Sequence, residues 1–492
     1  MLHKHYTVIS EEYAKVTAVH HPLVRVQGFS TIHSGEVVIF EGGAIGQVLS
    51  FDEQGIDVIS FDAQPIPLAS KVYRSGQTLS IPVSDLLLGS CIDPLGNSLS
   101  GTVSRASSMQ LPVDVPPLPL IDRHRINEPL STNVAIVDVL LPIGKGQRQL
   151  IAGDRKTGKT SFAMAAAFAQ AALGTIVVYA LIGKKKAEVK RIANQFAESK
   201  FAKKFVVVAT TPQDSVSAIN TAPFTAMTIA EHFRDQGSDV LVILDDLTTH
   251  AKFYRELSLL AGKFPGRDSY PGDIFFTHAR LLERAGCFTS TQAKDGSASI
   301  TCLPLAETSS EDLTDYITSN LISITDGHLL FSSHLFASGH RPAIDSTLSV
   351  TRVGKQTQLP LDRDITLTVT RFISQYEKAK SLTHFGSELS AESQSVIAKG
   401  SMLSNLLTLQ YTNHHGAAAT KLLIACIWNG LATEATKAEL KHMHQTLSET
   451  LATPKQQPLL TQLANCTSFS ALLKLLTAQK TTILQLCGHD NT

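Results

Sequence analysis

The sequence predicts a multidomain protein, with an N-terminal β-barrel over residues 1–80, a central α/β phosphate-loop NTPase domain over 81–361 and an α-helical C-terminal domain over 362–492. Three observations carry this. Short β-branched runs separated by turn glycines fill the first eighty residues. A G-x-x-x-x-G-K-T loop stands between an apolar strand candidate and an Ala-rich stretch. Beyond Asp362 glycines thin out and helix-compatible segments dominate.

At 492 residues the chain has material for several domains. Hydrophobic residues at 43% and charged residues at 17% suit a packed core and exclude global disorder. Lys+Arg and Asp+Glu are equal at 43 each, so the basic excess of a nucleic-acid binder is missing and no nucleic-acid partner is expected. The cysteines (Cys91, Cys287, Cys302, Cys426, Cys466, Cys487) form no CxxC pair, which argues against a disulfide framework or a zinc site and for reduced thiols. His20-His21 and His414-His415 are adjacent rather than at i, i+4 ligand spacing, and read as surface or turn residues. The opening Met-Leu-His-Lys-His-Tyr lacks the apolar core of a secretory signal.

In chain order, the barrel rests on Lys15–Val19, Leu23–Val26, Glu36–Phe40, Gly46–Leu49 and Ile56–Ile59. Pro112, Pro116, Pro117 and Pro119 mark an extended connector. The uncharged run Phe162–Gly183 is long enough to mimic a membrane span, but Gly174 breaks it. Its Ala-rich first half favours a helix and the β-branched Thr175–Tyr179 a buried parallel strand, so no transmembrane segment is expected. Phe205–Thr210, Val240–Leu244 and Ser299–Leu303 continue a strand-helix alternation from Ile143 to about Gly354. Helices are expected over Phe372–Leu389, Ser393–Gln410, Ala417–Leu431, Lys437–Leu451 and Phe469–Leu486, with Trp428 in their core.

The chemistry lies in Gly153, Asp154, Arg155, Lys156, Thr157, Gly158, Lys159, Thr160 and the following Ser161. Such a loop wraps phosphates with backbone N–H groups at a helix N-terminus, with Lys159 on the β/γ oxygens and the Thr160 hydroxyl at a Mg²⁺ position. Val240–Leu244 ends in Asp245, the kind of strand-end carboxylate that orients the Mg²⁺ shell in phosphate-loop ATPases; its plainer reading is a turn aspartate.

Pro142-Ile-Gly-Lys-Gly-Gln-Arg-Gln-Leu150, the loop itself, Gly266-Arg-Asp-Ser-Tyr-Pro-Gly-Asp-Ile-Phe275 and Arg280-Leu-Leu-Glu-Arg284 together closely resemble the alpha subunit of F-type ATP synthase. Leu87–Asn97, Leu321–Gly327, Arg341–Asp345 and Leu348–Gly354 extend the resemblance, which fades in the helices beyond Phe385–Leu389. It implies a RecA-like central domain and an alternating hexamer with beta subunits around a gamma-subunit shaft, peripheral to the cytoplasmic face of an energy-transducing plasma membrane. It also implies ATP or ADP with Mg²⁺ bound through Thr160 and Asp245 but not turned over, and a base pocket at Arg341, Pro342 and Gln410. Arg352 matches the family's arginine finger, which acts in trans on the neighbouring beta site, and Ser323 matches an interface position; a surface salt-bridge arginine is the plainer alternative for Arg352.

Departures sharpen the reading. The beta subunits of the family carry a catalytic glutamate, and its alpha subunits a glutamine, where this sequence has Lys184. A protonated lysine is no base, so the chain's own loop is expected to be non-catalytic. The plainer reading of Lys184 to Lys186 is a solvated helix N-terminus, although the helix dipole disfavours cations there. Lys156 replaces another glutamine, and the added charge either strengthens anion binding or competes with Mg²⁺. Leu409 stands in place of a second base-pocket glutamine, which implies either weaker base selectivity or no bound nucleotide at all. Within Met1–Ser10 there is no counterpart of the helix that docks the peripheral-stalk delta subunit, so that contact is left open. The competing functions are a homohexameric ATPase of the flagellar or secretion-export type, which needs a carboxylate at position 184, and a Rho-like helicase, which the zero net charge disfavours.

Overall fold

The computed structural model describes residues 6–9, 12–62, 64–99, 108–383, 391–411, 415–431, 435–453, 456–480, 483 and 486. Phe385–Leu389, Cys487 and His414 lie outside them. The chain forms two compact units, each assembled from two stretches of sequence: 1–124 with 174–325, and 125–173 with 326–492.

The first unit opens with β1 (Tyr13–His20), β2 (Leu23–Gln27), β3 (Glu36–Phe40), β4 (Ile45–Asp52), β5 (Gly55–Ser60) and β6 (Lys71–Thr78), closed into an antiparallel barrel in the order β1-β2-β5-β4-β3-β6. Alternate side chains fill its interior, among them Ala14, Val16, Val24, Val26, Val38, Val58 and Val72. Five of these strands coincide with the β-branched runs. The sixth does not advertise itself, because polar side chains hold it: Arg74 Nε and Nη2 donate to Glu36 at 3.0 and 2.9 Å, and buried Ser75 Oγ donates to the Val37 carbonyl at 2.6 Å. Closure removes the free edges that such a polar strand would otherwise leave.

After the barrel, β7 (Ser80–Val83) pairs with β9 (Met109–Pro112), the latter entering the proline connector. The rest of this unit is a parallel sheet of β8 (Cys91–Ile92), β13 (Ile176–Leu181), β14 (Phe205–Ala209), β15 (Val240–Asp245) and β17 (Ser297–Glu307). Its order is β17-β15-β13-β14-β8, with β16 (Gly286–Thr289) antiparallel on β17. Every residue of β13, β14 and β15 is buried, as a parallel sheet covered on both faces requires. Its helices are α3 (Lys186–Ala197), α4 (Val216–Asp235), α5 (Leu247–Leu260), α6 (Ile274–Leu282) and α7 (Tyr316–Ile324). Leu181 and Asp245 are register partners, so both strands deliver their following loops to the same edge.

In the second unit β10 (Pro129–Leu130) pairs with β11 (Ile143–Gly144), and α1 (Ala135–Leu140) lies between them in sequence. β12 (Gln149–Gly153) runs parallel to β18 (Gly327–Phe331), which pairs antiparallel with β19 (Ile344–Thr351). The uncharged run resolves as expected into α2 (Lys159–Ala172), Gly174 at φ +96° and then β13. Beyond the short α8 (Ser333–Ala337) come α9 (Pro360–Thr383), α10 (Ala391–Leu407), α11 (Gly416–Trp428), α12 (Lys437–Leu451), α13 (Gln457–Asn465) and α14 (Phe469–Ala478). Trp428 packs edge-on to Phe372 and Phe469, with centroids 5.1 and 5.4 Å apart. Among the described residues no helix is long and apolar enough to cross a membrane.

Candidate functional site

The phosphate loop lies in the second unit, between β12 and α2. Its turn needs left-handed backbone at Lys156 (φ +63°) and Gly158 (φ +104°). At Gly153 a Cβ would meet the Phe331 carbonyl at 2.5 Å, so only glycine passes there. Buried Lys159 donates from Nζ to the Gly153 and Asp154 carbonyls at 2.6 and 2.7 Å, and Thr157 Oγ1 donates to the Asp154 carbonyl at 2.8 Å. These bonds shape the loop and leave the first amides of α2 at the helix N-terminus, where an anion is stabilised. Asp154, Gly158 and Thr160 are partly buried, while Arg155, Lys156 and Ser161 are exposed.

The C-terminal edge of the first unit's sheet carries the other group of predicted residues. Asp245 ends β15, and Asp246 caps α5, its Oδ1 accepting from the Thr249 amide at 2.6 Å. Lys184 follows β13 by three residues and is aimed at both carboxylates. Its Nζ is 2.6 Å from Asp245 Oδ1 and 3.2 Å from Asp246 Oδ2. Tyr179, inside β13, donates its hydroxyl to Asp245 Oδ2 at 3.1 Å. Gly183, at φ +61°, has its amide on Thr210 Oγ1 and passes the chain on to Lys184, whose amide donates to the Thr210 carbonyl. Burial works against the Lys184 ammonium, but the two carboxylates outweigh it and hold its pKa above the ordinary lysine value. Burial, then the Asp245 charge, pushes the Tyr179 hydroxyl well up. Lys185 and Lys186 are exposed, so the solvated reading fits those two lysines and not Lys184.

This arrangement bears on Mg²⁺. All four carboxylate oxygens of Asp245 and Asp246 already have partners, and the charged one is an ammonium. A magnesium ion needs oxygen ligands at about 2.0–2.1 Å in octahedral array. Lys184 is the cation set against Asp245 and Asp246, so this carboxylate pair is already partly neutralised by a charge of the chain's own. Among the described residues no group of three His, Cys, Asp or Glu is placed to hold a metal ion. The sequence reading did not include Tyr179 or Asp246 among its site residues. Asp246 was visible beside Asp245, but a tyrosine inside an apolar strand gives no signal.

The remaining predicted residues are dispersed. Arg352, just past β19, is exposed, with its backbone amide on the Asp326 carbonyl at 3.0 Å. Ser323, exposed near the end of α7, donates to the Ser319 carbonyl at 2.9 Å and belongs to the first unit, whereas Arg352 belongs to the second. Arg341 folds back over Phe336, 3.3 Å from its ring centroid, and donates to the Phe336 and His340 carbonyls. Pro342 follows it through a cis peptide. Gln410 forms an isolated bridge with Val134, and neighbouring Leu409 is buried.

Comparison with known proteins adds an independent line. The nucleotide-binding domain of the ATP synthase alpha/beta family matches residues 133–351, and the C-terminal domain of the ATP synthase alpha/beta chain matches 358–479. ATP synthase subunit alpha 2 of Syntrophus aciditrophicus is 38% identical over 404 residues, covering 82% of this chain and 77% of its own. ATP synthase subunit alpha 2 of Cereibacter sphaeroides is 38% identical over 445 residues, covering 90% and 88%. ATP synthase subunit alpha of Ehrlichia ruminantium is 37% identical over 406 residues, covering 81% and 80%.

Proposed function

The chain belongs to the ATP synthase alpha/beta family, and from that premise we propose that it serves as the alpha subunit of a rotary, proton-translocating ATP synthase. It binds ATP or ADP at its phosphate loop without turning it over, and lends Arg352 to the reaction of an adjacent beta subunit. Its partners are beta subunits alternating with it in a hexamer, the gamma shaft and, through other subunits, the membrane sector; it sits peripherally on the cytoplasmic face.

One observation carries the non-catalytic part. Hydrolysis needs a group that deprotonates or orients the attacking water, and the candidate position holds an ammonium ion-paired to Asp245 at 2.6 Å. Lysine so held stays protonated and has no lone pair to offer. The same observation counts against the homohexameric export-type ATPase. Within the loop, Lys159 and the N-terminal amides of α2 supply the charge and donors for the phosphates. Thr160 is the loop's hydroxyl for a cation that arrives with the nucleotide, and no catalytic step is assigned to that cation. Arg341, Pro342 and Gln410 are proposed for the base, and Ser323 for the face toward a neighbouring subunit.

The test is co-purification from the native host. The expected result is a complex containing this chain and a partner chain in equal number, the partner carrying the catalytic glutamate, with ATPase activity absent from this chain alone. Brisk phosphate release by the isolated chain would overturn the assignment.

A further inference from the structure

We propose that Asp138 is a positioning residue of the nucleotide site: through the loop 131–134 it holds Gln410 where the base is met, and so sets how much the base contributes to binding. The inference rests on the reading of Gln410 as a base-pocket residue and adds to it the group that fixes this residue in place. Asp138, Gln410 and the residues that join them all belong to the second unit, as does the phosphate loop.

Gln410 is exposed, whereas its neighbours Leu409 and Tyr411 are buried. Both neighbours are hydrogen-bonded to the same short stretch. The Leu409 carbonyl accepts from the Ala135 amide at 3.1 Å, and the Tyr411 amide donates to the Asn133 carbonyl at 2.8 Å, on either side of the bridge between Gln410 and Val134. The Tyr411 side chain is fixed as well, its hydroxyl 3.0 Å from Thr420 Oγ1 and its ring stacked on His444. Gln410 therefore goes where residues 133–135 go. Ile136, the next residue of α1, lines one cavity of about 350 Å³ together with Pro342 and Thr408, so α1, Pro342 and the approach to Gln410 meet at one place.

This path needs outside support, because Asn133 has left-handed backbone at φ +57°, which a residue with a side chain adopts at a cost. Asp138, in α1, supplies the support by reaching back to the loop. Its Oδ1 accepts from the Thr132 amide at 2.8 Å and the Thr132 hydroxyl at 2.7 Å, and its Oδ2 from the Asn133 amide at 3.1 Å and the Ser131 hydroxyl at 3.3 Å. Only a carboxylate offers acceptors on both oxygens; an asparagine here would set its NH₂ against the Asn133 amide, donor against donor. The Ser131 carbonyl in turn accepts from Gln170 Nε2 at 2.7 Å, which seats the loop against α2 without the help of Asp138. The hydrogen bonds of Asp138 go to residues 131–133 and not to the phosphate loop, so the base end of the site depends on it and the phosphate end does not.

Isothermal titration of the purified full-length chain in one Mg²⁺-containing buffer, with ATP and separately with inorganic tripolyphosphate, reads the base end against the phosphate end. The unsubstituted chain is expected to bind ATP at least tenfold more tightly than tripolyphosphate. Asp138→Ala is expected to bring the two ligands within about threefold by weakening ATP alone, and Gln410→Ala to do the same. The form carrying both changes is expected to weaken ATP no further than either change alone, since both act through one residue. Asp138→Asn, which keeps the Thr132 bonds and loses the Asn133 one, is expected to weaken ATP by an intermediate factor and is the deciding variant if the alanine form does not fold. An Asp138 variant that binds ATP as the unsubstituted chain does, that loses ATP and tripolyphosphate in equal proportion, or whose effect adds in full to that of Gln410→Ala overturns the inference while leaving the reading of Gln410 in place. A Gln410→Ala form with undiminished ATP affinity, or an unsubstituted chain that prefers ATP by less than tenfold, removes the base-pocket reading itself and the inference with it.

Discussion

Lys184 and Asp245 stand 2.6 Å apart at the C-terminal edge of a parallel sheet, Asp245 ending β15 and Lys184 lying on the loop that follows its neighbour β13. One residue thus decides two properties: a carboxylate is neutralised from within, and the position is denied to a general base.

Removing that ammonium exposes the cost of the carboxylate it covers. Lys184→Met leaves Asp245 buried with no cation, and breaking a buried pair from one side costs about 3 kcal/mol. Because the folded-state pKa of Lys184 is raised, its stabilisation is complete below the unfolded lysine value of about 10.4 and declines only as pH rises through the folded value. Urea unfolding of both forms is expected to give a constant difference from pH 6 to 9 and a shrinking one above about pH 10.5. A difference that vanishes at neutral pH contradicts the ion pair.

The arginine proposed for the neighbouring site makes a contrasting prediction. Arg352 is exposed, and the only bond its described surroundings assign it here is through its backbone amide, so Arg352→Ala is expected to leave stability within about 0.5 kcal/mol. In a hexamer reconstituted with its beta partner, multi-site ATPase is expected to fall about 10³- to 10⁵-fold, the range for a finger supplied in trans. Undiminished turnover in an assembled hexamer refutes the role.

What the sequence made legible follows from how each element earns its stability. β2, β3, β15 and α2 declare themselves because periodicity, β-branching or a loop motif is local. β6 is held to its neighbour β3 by the Arg74–Glu36 pair, 38 residues apart in sequence, and no local pattern announces it. α13 begins with Gln-Pro and is short, so its buried Leu459 and Leu463 give too brief a period to read. At the site, the phosphate loop and Asp245 were legible as motifs and Lys184 as a departure from a family pattern. That Lys184 would close on Asp245 and Asp246 was not, since parallel strand register brings together residues more than sixty positions apart.

A buried histidine pair sets an acid limit. His250 Nε2 lies 3.1 Å from the Asn220 carbonyl, to which it can only donate, so its Nδ1 accepts from His278 Nε2, also at 3.1 Å. Burial, partly offset by that carbonyl, pulls His250 down to about 4, and burial together with His250 pulls His278 well below its usual value. Depressed folded-state values mean that stability is complete above about pH 6.5 and is lost as pH falls toward 4, by roughly 2 to 3 kcal/mol at pH 4.5 from His250 alone. Urea unfolding at pH 7 and pH 4.5 checks this. The double variant His250→Phe with His278→Leu is expected to lose less stability between the two pH values than the unsubstituted chain does.

Arg284 provides the sharpest test of packing in the first unit, because its guanidinium is wholly buried and each of its three nitrogens is hydrogen-bonded. Nε and Nη2 meet the two oxygens of Glu231 at 2.9 and 2.5 Å, Nη2 also donates to Thr228 Oγ1 at 2.9 Å, and Nη1 donates to the Val113 carbonyl at 2.9 Å. The group therefore ties α4 to the start of the proline connector through a planar fork. Lysine keeps the charge but cannot reproduce that fork, so Arg284→Lys is expected to cost about 2 kcal/mol. Arg284→Ala also leaves Glu231 beside a cavity with Arg234, 3.9 Å away, as its remaining cation, and a loss of about 3 kcal/mol is expected. Adding Glu231→Gln to the alanine form removes the stranded charge and should recover part of the deficit, whereas the same change in the intact chain should destabilise. Denaturant unfolding of the four proteins closes the cycle, and additive effects would mean that the two side chains do not act as a pair.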